Sequence, residues 1–109
     1  MKLREKLSLK KPLEKLVTID GDGYLLIALS RVPRTQLLID SQDAAGKQDR
    51  QEFDRLLISR SVYDPEDRQR VFADDEQCDI PGHVVSELIP ELLRLNRFAI
   101  LDEDIEKKD

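Results

Sequence analysis

The chain's one histidine and one cysteine, His83 and Cys78, lie close in sequence beside Asp79, and they are the first place to look for chemistry. Zinc takes three or four ligands, so a closed Cys/His site cannot be built from one residue of each type. A carboxylate-assisted site would have to borrow Asp74, Asp75 or Glu76. The plainer reading leaves His83 solvated at the start of a helix. The same pair offers no nucleophile with an orienting third group. Asp20-Gly21-Asp22-Gly23 opens like a calcium loop. With Asp20 as the first ligand, however, the fifth, sixth and twelfth positions are Tyr24, Leu25 and Arg31, where oxygen, glycine and glutamate are needed. Gly46-Lys47 ends like a phosphate loop, but the upstream glycine is missing and Gln48 stands where Ser or Thr would hold the metal. Asp64 and Asp67 are ordinary turn carboxylates around Pro65. No catalytic, cofactor-binding or metal-binding residue is assigned, and the chain is read as a non-enzyme with no cofactor.

The elements follow from punctuation and period. Leu16 to Ile19 and Tyr24 to Leu29 flank the Asp/Gly cluster and predict a hairpin. Ser30 is placed as the N-cap of a helix over 31–41, with Pro33 tolerated in its first turn. That helix puts Val32 and Ile39 on one face, with Leu37 and Leu38 to either side. A helix over 49–62 carries Phe53, Leu56 and Leu57 in register. Arg60 falls on the same stripe, where its stem can lie on the core while the guanidinium reaches water. Val71-Phe72 is expected to form a short extended pair. The strongest helical pattern runs over 81–98, through Val84, Val85, Leu88, Ile89, Leu92, Leu93 and Asn96, with Pro90 inside it as an expected kink. Residues 2–15 are irregular, with Leu3 and Leu7 one turn apart before Pro12. The fold class is α+β, mainly α: a small N-terminal β-hairpin packed with about three helices. The division is a basic arm over 1–15, one globular domain over 16–100 and an acidic tail over 101–109.

Composition sets the outer bounds. A chain of 109 residues supports one modest core, and with 39% hydrophobic residues, three Phe, two Tyr and no Trp that core must be aliphatic. The net charge is −5, but residues 1–16 carry six basic and two acidic side chains, while residues 101–109 carry five acidic and two basic. Opposite ends of this kind suit head-to-tail association or partner docking, or are simply solvated. An acidic chain repels polyanions. The helix pair over 31–62 fails as a DNA reader because Asp49, Glu52 and Asp54 occupy the end that would meet phosphate. No nucleic-acid partner is expected. The longest uncharged apolar run, Tyr24 to Ser30, is too short to span a bilayer, so no membrane partner is expected either. A single cysteine makes no internal disulfide and suits an intracellular protein.

Over residues 16–98 the order of features resembles the phage tail assembly chaperone family of long-tailed phages. The resemblance is carried by the strand-rich segment of Gly21 to Leu29 leading into Ser30-Arg31-Val32-Pro33-Arg34. It continues through Leu56-Leu57-Ile58-Ser59-Arg60-Ser61-Val62-Tyr63 and Asp64-Pro65-Glu66-Asp67. Arg70-Val71-Phe72-Ala73-Asp74-Asp75-Glu76 follows, and then the helix ending Leu92-Leu93-Arg94-Leu95-Asn96. The resemblance implies a non-enzymatic chaperone in the cytoplasm of the infected bacterial host. It implies binding of the tape measure protein, recruitment of tail tube protein, self-association into a homo-oligomer and absence from the finished virion. The alternative from another class is a small acidic adaptor or regulatory binding protein, antitoxin-like or a phage accessory module. Partner binding or self-association is assigned to Leu92, Leu93, Leu95, Asn96 and Phe98. The competing reading makes the same residues core.

Overall fold

The computed structural model describes residues 1–75 and 80–98. In chain order these form α1 (Leu3–Leu9), β1 (Glu14–Ile19), β2 (Asp22–Ile27), α2 (Arg31–Asp40), α3 (Arg50–Ser61), β3 (Val62–Tyr63) and α4 (Gly82–Leu95). The architecture is α+β and mainly α, as the sequence predicts. A three-stranded antiparallel sheet of order β1-β2-β3 packs with α2, α3 and α4, while α1 buries none of its residues.

The hairpin is built on a two-residue loop, with Ile19 opposite Asp22 and Glu14 opposite Ile27. Asp20 and Gly21 both have positive φ, 54° and 83°. Positive φ at both central positions is what a type I′ turn requires, and its twist matches that of the strands it joins. The Ala28 N–H donates to the Leu13 carbonyl at 2.8 Å, so pairing continues past β1 into the end of the arm. β1 therefore begins two residues earlier than the predicted arm allows, and α1 gives that arm about two regular turns.

α3 is the central element. Asp49 caps it by accepting from the N–H groups of Gln51 and Glu52 at 3.0 and 3.2 Å. Phe53, Leu56, Leu57, Ile58, Ser59 and Ser61 are all buried. The chain then leaves the helix directly into β3, whose Val62 and Tyr63 pair with Leu26 and Leu25. The extended pair expected at Val71-Phe72 is displaced to this point. A β-branched and an aromatic residue lie beside the open edge of β2 and take the strand. Val71 lies in a bend and donates its N–H to the Val62 carbonyl at 3.2 Å, while Phe72 leans half-buried on the core.

α4 is shorter than predicted at both ends, with Pro81 at the N-cap and Asn96 at the C-cap. It remains one element through Pro90. Its end follows a Schellman pattern. The Phe98 N–H reaches the Leu93 carbonyl, the Arg97 N–H reaches that of Arg94, and Arg97 takes φ 58°. The core runs through Ile19, Leu26, Leu37, Leu57, Val62, Leu88 and Leu92, with Phe53 its one buried aromatic ring. Each such aliphatic side chain contributes roughly 1.5–3 kcal/mol by leaving water.

Candidate functional site

The residues that could have done chemistry are placed apart or already paired. His83 Nε2 lies against Asp20 Oδ2 across the hairpin turn, with both side chains exposed. The hydrogen bond and charge of Asp20 hold the imidazole pKa above its ordinary value. Gly46 lies in a loop in which Asp43 Oδ1 accepts from the N–H groups of Ala45 and Lys47, both at 2.9 Å, so its backbone donors serve the turn. Asp64 and Asp67 do the same for Glu66 and Gln69. Among the described residues no group of His, Cys, Asp and Glu could hold a metal ion. Glu76, Cys78, Asp79 and the acidic stretch over 101–109 lie outside the described residues.

Asp74, the first carboxylate considered for a metal, instead gathers arginines. Arg70 and Arg60 both pair with its carboxylate, and Arg55 donates to its carbonyl at 2.6 Å. Arg60 also reaches Asp40 at 2.7 Å, tying α2 to α3. Its guanidinium therefore ends on carboxylates rather than in open water, and the side chain is only 16% exposed. Burial pushes the Asp74 pKa up, but the hydrogen bonds from Arg70 and Arg60 outweigh it and leave it below the ordinary range. The hydrogen bond from Arg60, aided by Gln36, lowers that of Asp40.

The five residues assigned to partner binding do not form an open strip. Leu92 and Leu93 face the interior, and Leu95 and Phe98 are partly buried against the core. Phe98 meets Phe53 edge-on with centroids 5.5 Å apart, and the Arg34 guanidinium lies 4.4 Å from its ring centre. Asn96 is 5% exposed. Its Oδ1 accepts the Leu29 N–H at 2.7 Å and its Nδ2 donates to the Leu92 carbonyl at 2.9 Å. In this fold Asn96 joins the end of α4 to the strand-to-helix connection. The reason is geometric: the Schellman turn folds Phe98 back over the helix end, and that covers the residues beneath it.

Within the packed domain, an open apolar surface lies on α2. Leu37 alone of that helix is buried, and it shares its face with Ser30, Arg34 and Ser41. Val32 and Ile39 therefore point outward, 75% and 53% exposed, with Leu38 beside them. Polar bonds fix this orientation. Asp40 pairs with Arg60, the Ser41 hydroxyl donates to the Leu37 carbonyl at 2.7 Å and also receives Gln48, and Arg34 donates to the Arg97 carbonyl at 3.2 Å. Next to this face is a groove of about 630 Å³ between α2 and the sheet. Pro12, Ile27, Ala28, Val32 and Tyr63 give it an apolar lining, and the Arg60–Asp40–Asp74 cluster closes one end. Sequence reasoning missed this surface. The signal was the polar company of Leu37, which marks that face as one held by hydrogen bonds and leaves the aliphatic side free.

Comparison with protein-family models, curated proteins and solved structures returns no match for the chain. Among the described residues no helix is long and apolar enough to cross a membrane.

Proposed function

We propose that the protein acts by stoichiometric binding, as a phage tail assembly chaperone. In this reading it holds apolar helical segments of the tape measure protein, helps recruit tail tube protein during tail morphogenesis, self-associates and leaves before the virion is complete. Its place of action is the cytoplasm of the infected bacterial host. The observation that carries the reading is the uncovered aliphatic face of α2 beside an apolar groove, Val32 and Ile39 over Pro12, Ile27 and Tyr63. Such a surface suits an amphipathic helix presenting residues at three- and four-residue spacing. The ordered resemblance over residues 16–98 supplies the identity of the partner.

The test is affinity purification of the tagged chain from cells in which a phage is developing, with identification of what elutes. A very long, helix-rich tape measure protein should be recovered, with or without tube protein. Val32→Glu/Ile39→Glu should remove that capture, while changing folding stability by no more than about 0.5 kcal/mol per exposed site. Recovery of only a small host or phage protein, with no tail component, replaces this reading with that of the acidic adaptor. Presence of the chain in purified virions makes it a structural component instead.

A further inference from the structure

The two edges of the sheet differ. Beyond β3, Val71 donates its N–H to the Val62 carbonyl at 3.2 Å and Arg70 bridges Tyr63, so that edge is taken. β1 is the opposite edge. The bond from the Ala28 N–H to the Leu13 carbonyl fixes its phase. Bonded and non-bonded residues alternate along an antiparallel pair. Leu13, Lys15, Val17 and Ile19 therefore bond to β2, while Glu14, Leu16 and Thr18 turn their N–H and C=O groups outward. All three are exposed, Leu16 by 61%, and among the described residues no backbone group bonds to them from outside the hairpin. Edge strands are ordinarily blunted by a proline, a bulge or a lysine. β1 contains no proline, pairs with β2 residue for residue, and has its Lys15 drawn aside to Glu91 on α4.

We propose that β1 pairs antiparallel with β1 of a second copy about a two-fold axis at Leu16, joining the two sheets into one of six strands. Self-complementarity selects this occupant and this register. Leu16 meets the second copy's Leu16, Glu14 lies opposite Thr18, and the Lys15 stem lies opposite Val17. The same register carries Lys10 and Lys11 of each arm alongside Asp22 and Asp20 of the other hairpin turn, charge against charge. A slip of two residues one way sets Lys15 against Lys15 and brings Pro12, which has no N–H, opposite Thr18. A slip the other way sets Glu14 against Asp20. Like charges directly opposed destabilise a strand pair. An unrelated extended segment could fill the hydrogen bonds of the edge, but the charges at both ends of β1 match a second copy. One strand pair is smaller than a standard interface of about 1,600 Å² in total, so the dimer is a reversible one. It gives a surface to the self-association in the reading above but rests on the sheet alone.

Sedimentation velocity of the full chain between about 5 and about 500 µM should show a monomer–dimer equilibrium. Leu16→Lys changes an exposed site and should weaken dimerisation roughly tenfold or more, by setting two ammonium groups face to face. Leu16→Glu should do the same with two carboxylates. An equimolar mixture of the two variants should recover dimers, because opposite charges then meet across the axis. At high concentration the Glu14 and Thr18 amides of the unaltered chain should exchange at least about tenfold more slowly than those of Leu16→Lys. Val32→Glu/Ile39→Glu should leave the dimer intact, so loss of partner capture and loss of the dimer are separate results. A dimer that Leu16→Lys does not weaken overturns the proposal, as does a mixture no more associated than its components. A dimer lost in Val32→Glu/Ile39→Glu places the interface on α2 and also overturns it. A chain monomeric throughout overturns it as well, and if Leu16→Lys then abolishes capture from phage-producing cells, the edge belongs to a partner's strand.

Discussion

Asn96 commits its whole amide to the backbone, accepting from Leu29 and donating to Leu92 while nearly sealed from water. Replacing it by Ala removes both bonds and strands a part-buried N–H, a change that costs about 2 kcal/mol. Urea denaturation of Asn96→Ala should show that loss with an unchanged denaturant slope. A loss below about 0.5 kcal/mol would mean water reaches the Leu29 N–H. The exposed His83–Asp20 contact acts through pH instead. Asp20 raises the imidazole pKa above 6.5, so protonation is favoured in the folded chain. The stability it gives is complete below the unfolded value and is lost as pH rises through the folded one. Melting temperature should therefore decline slightly between about pH 6 and pH 8. Asp20→Asn should flatten that decline while sparing the turn, because Asn tolerates the positive φ that Asp20 adopts.

α2 is oriented by polar ties as much as by its one buried leucine, and Arg60 is the tie that reaches furthest. It joins α2 through Asp40 and the segment after β3 through Asp74. Arg60→Ala should destabilise the fold by about 1–3 kcal/mol, since charged hydrogen bonds and stem packing go together. Arg60→Lys should recover less than half, because an ammonium cannot present a planar fork to two carboxylates. Both Asp40 and Asp74 titrate below their ordinary value of 3.8, so their share of stability is present above that value. It drains away as pH falls through the depressed values, and denaturation midpoints followed down the acid range should drop more steeply than in Arg60→Ala. The same residues explain what could be read in advance. Strict apolar periods gave α3 and α4, and Asp20-Gly21 announced the hairpin because turn chemistry is local. The outward turn of α2 was hidden, because Leu37 wins its place through bonds from Ser41, Asp40 and Arg34 to residues 7 to 63 positions away. For Leu93 and Asn96 the sequence left two readings open, core and partner surface, for a related reason. A helical pattern marks an apolar face but does not show that an αL residue at Arg97 will fold Phe98 back across it.

At the scale of the molecule, the domain and α1 are energetically separate. α1 contributes no buried residue, its Leu3, Leu7 and Leu9 are exposed, and the hydrogen-bonded fold begins at Leu13. An isolated helix of two turns is marginal in water, because nucleation costs more than so few bonds return. Deleting residues 2–9 should therefore change unfolding free energy by less than about 0.5 kcal/mol, the range of changes that touch only surface. Lys10 and Lys11 stay in place, so the groove they line together with Pro12, Leu29 and Arg97 keeps those side chains. What the deletion does remove is Lys2, Arg4 and Lys6 against Glu5, a net two positive charges, together with an apolar stripe that the domain does not use. If that stripe serves a partner, capture from phage-producing cells should weaken while chemical denaturation curves of the two chains overlay. Weakened capture would then come from the lost surface, since the domain would have lost nothing. A deletion that shifts the denaturation midpoint by more than this amount would instead make α1 part of the fold.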